Sequence, residues 1–408
     1  MTDLPNRLLR RPASPVATLA AMSATANAPA NANANATGTG RSNRAELDVL
    51  SDVFRCIRLT GSMFFLVEAS APWKTSAPSA QSFARFVLPD SRHLISYHVV
   101  TAGKCWGGIR GGAAMLLEAG DILVIPHGAA YYLANPPSAE SSAGDDEAVE
   151  FFRQMVAGNL PQVIAEGGEG PQRTAFICGF LGCDLRPLNP IVAALPPVLH
   201  LRHAMQDNRP MRDLIRLALA ELRAQRPGSR EVLLRLSELM FIGAIRCHVE
   251  QLAQASPEQQ PGAAPPPSGW LAGLHDPLVG RSLTLLHANP ARGWTLQALA
   301  AEAGASRSVL ATRFAQVVGQ PPMRYLAAWR MQLATRMLSD QPAKVKTVAE
   351  AVGYASEAAF SRAFTRLVGS NPVSWRDAVA PRQPTPSRGP APPKRMEQSD
   401  RGTRHDTK

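Results

Sequence analysis

Residues that hold metals or form disulfides are sparse in this 408-residue sequence. It contains only five cysteines, none of them in a Cys-x-x-Cys pair, and no His-x-His occurs anywhere. These absences argue against a disulfide framework and against a zinc ribbon. No uninterrupted apolar run approaches the roughly 18 residues of a membrane-spanning helix, so the sequence predicts no membrane partner.

Charged residues are also few, at 18%, yet the formal net charge is +11. The positive charge is concentrated in residues 270–376, which contain 12 Lys and Arg against 5 Asp and Glu. Residues 45–269 are slightly acidic by comparison. A basic C-terminal module on a weakly acidic body predicts a polyanionic partner, most often nucleic acid.

Three segments have compositions that do not support a packed core. Residues 1–44 and 377–408 are rich in small polar residues and proline, which predicts disorder because little apolar surface is available to offset ordering entropy. Residues 254–269 are rich in Pro and Gly and are expected to form a linker. The remaining sequence therefore divides into a body and a C-terminal module.

The body combines a β-rich part, residues 45–190, with a helical part, residues 191–253. Short apolar runs separated by Gly, Pro and Asp predict strands that form a barrel or a sandwich. The runs lie at 63–70, 84–90, 94–103, 113–120 and 121–128. Apolar spacing in the second part predicts helices at 191–206, 211–224 and 229–253.

The C-terminal module contains an internal repeat with a period of 50 residues. Each copy has a short segment that ends in Gly, followed by Ser and then by apolar residues at the fourth and eighth positions after the Ser. The corresponding residues are Ser306, Leu310, Phe314 and Gly319 in one copy, and Ser356, Phe360, Phe364 and Gly369 in the other. A Gly that permits positive φ and a Ser that caps the next helix are typical of a helix-turn-helix.

Between the two copies, residues 322–339 predict one amphipathic helix with a proline at its start. About 17 residues of helix span roughly 25 Å. Such a helix can hold two recognition helices about 34 Å apart, which is one turn of B-DNA. The aromatic residues Tyr325, Trp329 and Trp375 are expected in the core rather than stacked on bases.

The segment 295–376 resembles the tandem helix-turn-helix domain of AraC-type transcriptional regulators. The resemblance implies that double-stranded DNA is a partner and that both second helices enter the major groove. By position, the implied DNA-binding residues are Ser306, Arg307, Ser308, Ala311, Thr312 and Arg313, and Ser356, Glu357, Ala358, Ser361, Arg362 and Arg366. Many similar proteins have Arg, which can read guanine, at the position of Thr312. Because this chain has Thr there, its neighbour Arg313 is expected to contact phosphates rather than bases.

Residues 120–135 resemble the second cupin motif, G-x5-P-x-G-x2-H-x3-N. Gly120, Pro126, Gly128 and Asn135 match the motif, but Tyr131 replaces its metal-binding His. The expected ligands of the first cupin motif are absent as well, so we expect a cupin-like domain with no metal and no cofactor that binds a ligand rather than catalysing a reaction. Candidate effector-binding residues are Tyr97, His98, Trp106, His127 and Tyr131, although a structural role in the core or at the rim is favoured for each.

The whole chain resembles AraC-type regulators that have an N-terminal cupin sensor domain. This implies a multidomain α+β fold, in which a cupin-like β-barrel and following helices precede an all-α tandem helix-turn-helix domain. It also implies a cytoplasmic regulator that responds to a small-molecule effector. Residues 191–253 are the candidate homodimer interface, and RNA polymerase is a partner if the protein is an activator.

Three other functions are compatible with parts of the sequence. The first is a cupin-type enzyme with an accessory helical domain, which the missing metal ligands disfavour. The second is a nonspecific architectural DNA-binding protein, which the two separately patterned helices disfavour. The third is a redox-sensing regulator that acts through a cysteine such as Cys105, Cys178 or Cys183, and it requires an exposed thiol of low pKa.

Overall fold

The computed structural model describes residues 49–57, 59–89, 91–139, 144–184, 188–254, 269–340 and 343–379. The predicted disordered segment 1–44 lies outside these residues, as do residues 380–408 of the predicted disordered tail 377–408 and residues 255–268 of the predicted linker 254–269. Residues 377–379 of the predicted tail are helical instead. None of the described helices is long and apolar enough to cross a membrane.

The β-rich part of the body forms two sheets. Their strands are β1 (Leu59–Ser70), β2 (Trp73–Ala77), β3 (His93–Ala102), β4 (Lys104–Ile109), β5 (Met115–Glu118), β6 (Ile122–Ile125), β7 (Tyr131–Asn135), β8 (Val163–Gly167), β9 (Arg173–Cys183) and β10 (Leu199–Leu201). One sheet has the order β10-β6-β3-β9-β1-β8 and the other β2-β7-β4-β5. The described strands therefore form two sheets, which agrees with the sandwich that the strand pattern allowed and differs from the barrel that the cupin resemblance implied.

The alternation of side chains along the strands separates two cores. Phe65 and Val67 of β1 pack in the core between the two sheets, whereas Phe64 and Leu66 of the same strand pack on the opposite face. This follows from the period of two in a β-strand. Helices α2 (Ala80–Val87) and α3 (Asp145–Ala157) contribute to the core between the sheets.

The opposite face of the larger sheet is covered by helices of the body. These are α1 (49–56), α4 (Pro190–Ala194), α5 (Ala204–Asp207), α6 (Arg209–Ala224) and α7 (Ser229–Gln254). The helix predicted over 191–206 is only partly correct. Its ends lie in α4 and α5, but Pro196 and Pro197 follow α4 and the chain then forms β10, which pairs with β6. The predicted strand over 84–90 is also wrong, since most of it lies in α2.

The C-terminal module is helical, as predicted. Its helices are α8 (Trp270–Gly273), α9 (Pro277–Ala288), α10 (Leu296–Ala303), α11 (Arg307–Val318), α12 (Pro322–Asp340), α13 (Val345–Ala351), α14 (Glu357–Val368) and α15 (Pro372–Val379). The expected helix-turn-helix pairs are α10–α11 and α13–α14, and α12 joins them. Tyr325, Trp329 and Trp375 are all buried, which confirms their predicted place in the core.

The module divides between two cores. Side chains of α8 to α11 and the first half of α12 belong to the same continuous core as α1, α6 and α7 of the body. The second half of α12 packs with α13 to α15 in a core of its own, around Phe360 and Phe364. The first helix-turn-helix is therefore packed as part of the body. The core of the second helix-turn-helix touches the body through Trp375 of α15. Arg92 lies over the Trp375 ring, 5.0 Å from its centroid.

Candidate DNA-binding surface and ligand cavity

Both predicted recognition helices begin at a serine cap. The hydroxyl of Ser306 accepts a hydrogen bond from the Val309 N–H at 3.3 Å, and Ser356 accepts one from the Ala359 N–H at 3.2 Å. Each hydroxyl satisfies a backbone donor that has no partner within the helix. The caps fix where α11 and α14 begin, and therefore which residues each helix presents outward.

The turn before α14 depends on a glycine. Gly353 has φ of +83°, a conformation that residues with a Cβ rarely adopt. A Cβ at this position would also overlap the carbonyl oxygen of Ala291. The Gly therefore permits the second helix-turn-helix to approach the segment that precedes α10.

The predicted DNA-binding residues form two outward surfaces. Of the twelve, Ala311 and Ser361 are half-buried and the other ten are exposed. The opposite sides of α11 and α14 are fully buried by Leu310 and Phe314 and by Phe360 and Phe364. Each helix is thus held by its apolar side and leaves its polar side accessible.

The arginines on these surfaces differ in their partners. Arg313 of α11 is held by Asp276, with 2.7 Å between Nε and Oδ2. Asp276 also accepts hydrogen bonds from the Leu278 and Val279 N–H groups at the start of α9. Within the described ranges, Arg307 and Arg362 have no ion-pair partner.

A cavity of about 100 Å³ lies between the two sheets of the body. His98 of β3, Tyr131 of β7 and Cys178 of β9 contribute to its wall. His98 Nδ1 lies 3.2 Å from Cys178 Sγ, and the His98 and Tyr131 ring centroids are 4.7 Å apart. His98 Nε2 is buried and has no hydrogen-bond partner among the described residues.

Burial keeps these three groups uncharged. It lowers the pKa of His98 to about 3 and raises the pKa values of Tyr131 and Cys178 well above their ordinary range. Near neutral pH the cavity therefore presents a neutral imidazole, a phenol and a thiol. Such a site can exchange hydrogen bonds with a ligand, but it has no thiolate ready for oxidation.

The other three candidate effector-binding residues lie elsewhere. Tyr97 faces the opposite side of the sheet and packs against Phe64, with ring centroids 5.6 Å apart. Trp106 is half-buried on β4, and the exposed His127 donates from Nε2 to the carbonyl oxygen of Leu195 at 3.0 Å. The structure thus brings together only His98 and Tyr131.

Sequence reasoning missed several residues that line this cavity. They include Lys74 of β2, Glu147 of α3 and Glu166 of β8. The available signal was strand alternation, which places every second residue of β2 and β8 on one face. It could not show which face is the inner one, or that α3 covers one side of the cavity.

The cupin-like motif keeps its structural residues at the turns. Gly128 has φ of +68°, and a Cβ there would lie 2.8 Å from the Cβ of Ala80. Asn135, at the end of β7, donates from Nδ2 to the carbonyl oxygen of Lys104 at 3.3 Å. No group of three or more His, Cys, Asp or Glu side chains positioned for a metal ion occurs in the described part of the chain.

All five cysteines are buried, and burial raises the pKa of each thiol. A redox sensor needs an accessible thiol with a low pKa. The surroundings of these cysteines therefore disfavour the redox alternative.

Comparison with known proteins supports the assignment of both halves of the chain. Residues 48–250 match a family described as Cupin, and residues 299–378 match a family described as Helix-turn-helix domain. A putative AraC-like transcription regulator of Streptomyces antibioticus is 34% identical over 340 residues, which cover 82% of this chain and 100% of that protein. The HTH-type transcriptional regulator AlkR of Acinetobacter baylyi is 28% identical over 332 residues, covering 81% and 99%.

Fold and sequence together define a DNA-binding transcription regulator with a cupin-type N-terminal domain. The resemblance noted in the sequence is confirmed, and the enzyme alternative is not favoured because the relatives are regulators. The chain belongs to the AraC family of transcription regulators.

Proposed function

We propose that this regulator recognises a specific DNA sequence by placing α11 and α14 in successive major grooves of one duplex. The observation that carries the proposal is the duplication of a capped helix with one buried apolar side and one exposed polar side. The connecting helix α12 has 19 residues, which corresponds to about 28 Å. A connecting helix of that length can hold two recognition helices about 34 Å apart, which is one turn of the duplex.

Arg362 is the central base-contacting residue in this proposal. Its guanidinium is exposed and points away from Phe360 and Phe364, and it can donate two hydrogen bonds to guanine. Glu357, in the first turn of the same helix, can accept a hydrogen bond from cytosine. Arg307 is the corresponding cation of α11, since Arg313 is held by Asp276.

Phosphate contacts are assigned to the ends of the helices. The N-termini at Ser306 and Ser356 present backbone N–H groups and the positive end of the helix dipole. Arg366, in the last turn of α14, is exposed and can reach the backbone beside the groove. These contacts would fix register without reading sequence.

The cavity between the sheets is the proposed effector site. Its volume of about 100 Å³ is below the roughly 300–1,000 Å³ usual for small-molecule sites, so it would admit only a very small ligand, with which the unpaired Nε2 of His98 would exchange a hydrogen bond. An unsatisfied buried polar atom is costly, so a ligand with one complementary group gains from filling this position. The role assigned to the cavity is binding, not catalysis.

A homodimer and a cytoplasmic location complete the proposal. Helices α6 and α7 expose Leu217, Val232 and Leu239, which are 58%, 45% and 49% accessible. A second copy covering these side chains would remove apolar surface from water. RNA polymerase is a partner if the bound regulator activates transcription.

Genome-wide mapping of bound sites, followed by footprinting with scrambled competitor DNA, tests the main proposal. We expect a discrete motif with two blocks about one helical turn apart. Uniform protection that scrambled DNA displaces equally well would instead indicate an architectural DNA-binding protein.

Elemental analysis of the purified protein tests the noncatalytic role of the body. We expect no stoichiometric transition metal and no effect of chelators on DNA binding. About one zinc, iron or nickel per chain, lost on mutation of His98, would revive the enzyme alternative.

A further inference from the structure

A second cavity, of about 360 Å³, lies outside the sandwich. It is open to solvent and is lined by β1, the ends of α2, α3 and α6, the segment before β8, and the start of α7. Its apolar wall includes Met63, Phe64, Leu88, Met155, Leu160 and Leu233. The volume falls within the range of roughly 300–1,000 Å³ that is usual for small-molecule sites.

The polar side chains of this wall are Ser62, Gln162, Gln225 and Arg230, and the candidates for holding a ligand are Arg230 and Gln162. Arg230, in the first turn of α7, is the only charged residue in its wall and has no ion-pair partner in the described part of the chain. Gln162 has a buried Oε1 that finds no hydrogen-bond partner among the described residues. Its backbone carbonyl accepts a hydrogen bond from the Leu66 N–H at 2.8 Å, which holds this segment against β1.

We propose that this cavity binds an amphipathic monocarboxylic acid. The carboxylate pairs with the guanidinium of Arg230, which can offer two parallel N–H donors. A 180° rotation of the Gln162 amide exchanges its oxygen and nitrogen, and it gives the carboxylate a further N–H donor. The hydrocarbon body of the ligand then covers the apolar wall and is removed from water.

The position of the site suggests what the ligand would control. It contacts α7 at one end of a 26-residue helix, and α7 also packs against α8, the first helix of the DNA-binding module. A ligand that bridges Arg230 and β1 stabilises one placement of α7 against the sheet. This site is separate from the proposed effector cavity between the sheets and therefore goes beyond the proposed function. Ligand binding to it can be measured without DNA.

Calorimetric titration of the full chain with octanoate tests the proposal, with butyrate and 1-octanol as companion probes. We expect octanoate to bind one to one. Butyrate keeps the charge but lacks the apolar body, and 1-octanol keeps the body but lacks the charge, so each should bind at least about tenfold more weakly.

Two variants and one control locate the site. Arg230→Gln should weaken octanoate binding at least about tenfold and leave 1-octanol binding unchanged. Val156→Glu places a negative charge on an exposed part of the wall and should also weaken octanoate binding. Arg235→Gln, on the same helix but outside the wall, should have no effect.

Thermal melts followed by circular dichroism establish that each variant is folded. Three results would overturn the proposal: no saturable octanoate binding up to about 5 mM, equal effects of Arg230→Gln and Arg235→Gln, or butyrate binding as tight as octanoate. Failure of the proposed DNA recognition would appear separately, in footprinting without any carboxylate.

Discussion

Gln332 of α12 joins the DNA-binding module to two segments of the body. It is 6% exposed. Its Nε2 donates to the carbonyl oxygen of Cys56 at 2.8 Å, and its Oε1 accepts from the Leu188 N–H at 3.1 Å. One side chain on the helix between the two recognition units thus satisfies backbone groups of α1 and of the segment before α4.

We predict that Gln332→Leu destabilises the protein by about 2–4 kcal/mol. Leu is close to Gln in size, so the main effect is to leave the Cys56 carbonyl and the Leu188 N–H without partners. An unpaired buried backbone group costs about 1–3 kcal/mol, and the half-buried Leu188 is expected at the lower end. Urea unfolding followed by circular dichroism measures the change.

The matched control is Gln251→Leu, on the exposed side of α7. It should change the free energy of unfolding by no more than about 0.5 kcal/mol. Hydrogen exchange gives a second readout, because loosening of α12 from the body should speed exchange in both α1 and α12 of Gln332→Leu. Equal stability of the two variants, with unchanged exchange in α1, would refute the inferred connection.

Further predictions concern DNA recognition, a turn and pH. Arg362→Ala should weaken binding to the specific site by about 1–3 kcal/mol in gel-shift assays and should relax the preference at one or two base pairs. An equal loss of affinity for random DNA would instead identify Arg362 as a phosphate contact. Gly353→Ala should lower the free energy of unfolding in urea by about 1–3 kcal/mol. Gly319→Ala should lower it less, because its Cβ would enter open space at a similar φ. Equal costs of the two substitutions would refute the predicted clash. Burial holds the pKa of His98 at about 3 in the folded state, compared with 6.5 in the unfolded state. The unfolded state therefore gains its proton first as pH falls. His98 should therefore contribute about 2 kcal/mol to the stability that urea unfolding shows to be lost between pH 7 and pH 5, and His98→Gln should reduce the loss by about that amount. An unchanged loss would contradict this origin.

The DNA-binding module was largely predictable from sequence because its signals are local. Ser306 and Ser356 mark helix starts, and Gly319 and Gly369 adopt φ of +81° and +91° at the helix ends. The predicted helix over 322–339 agrees with α12 to within one residue. Caps and glycine turns act over a few residues, so no tertiary contact was needed to place them.

The body was harder to predict because its elements depend on distant partners. β8 is a short strand with no buried residue, and it exists through parallel pairing with β1 about 100 residues away. Its sequence alone gives little strand signal. The apolar run at 84–90 fitted a strand, but its first residues pack as a helix on α3. Short apolar runs do not distinguish these outcomes.

The candidate effector site was only partly predictable for the same reason. Tyr97 and His98 are neighbours on β3, so they must face opposite sides of the sheet. Pairing of β3 with β9 places His98 opposite Cys178, 80 residues away, and that register was not readable from either strand. The contact between Gln332 and Cys56 spans 276 residues and likewise has no local signature.

The division of α12 between two cores has a consequence for building hybrid regulators from members of this family. Tyr325 and Trp329 pack with the body, whereas Met331 and Leu338 pack with the second helix-turn-helix. A graft joined in the Pro-rich segment 255–268 would replace every α12 residue that the sensor contacts. To transmit a signal to a foreign reading unit, the graft would have to match the recipient sensor along the first half of α12 and at Gln332 and Arg336, which bond backbone groups of α1. It would have to match the donor unit at the apolar positions of the second half.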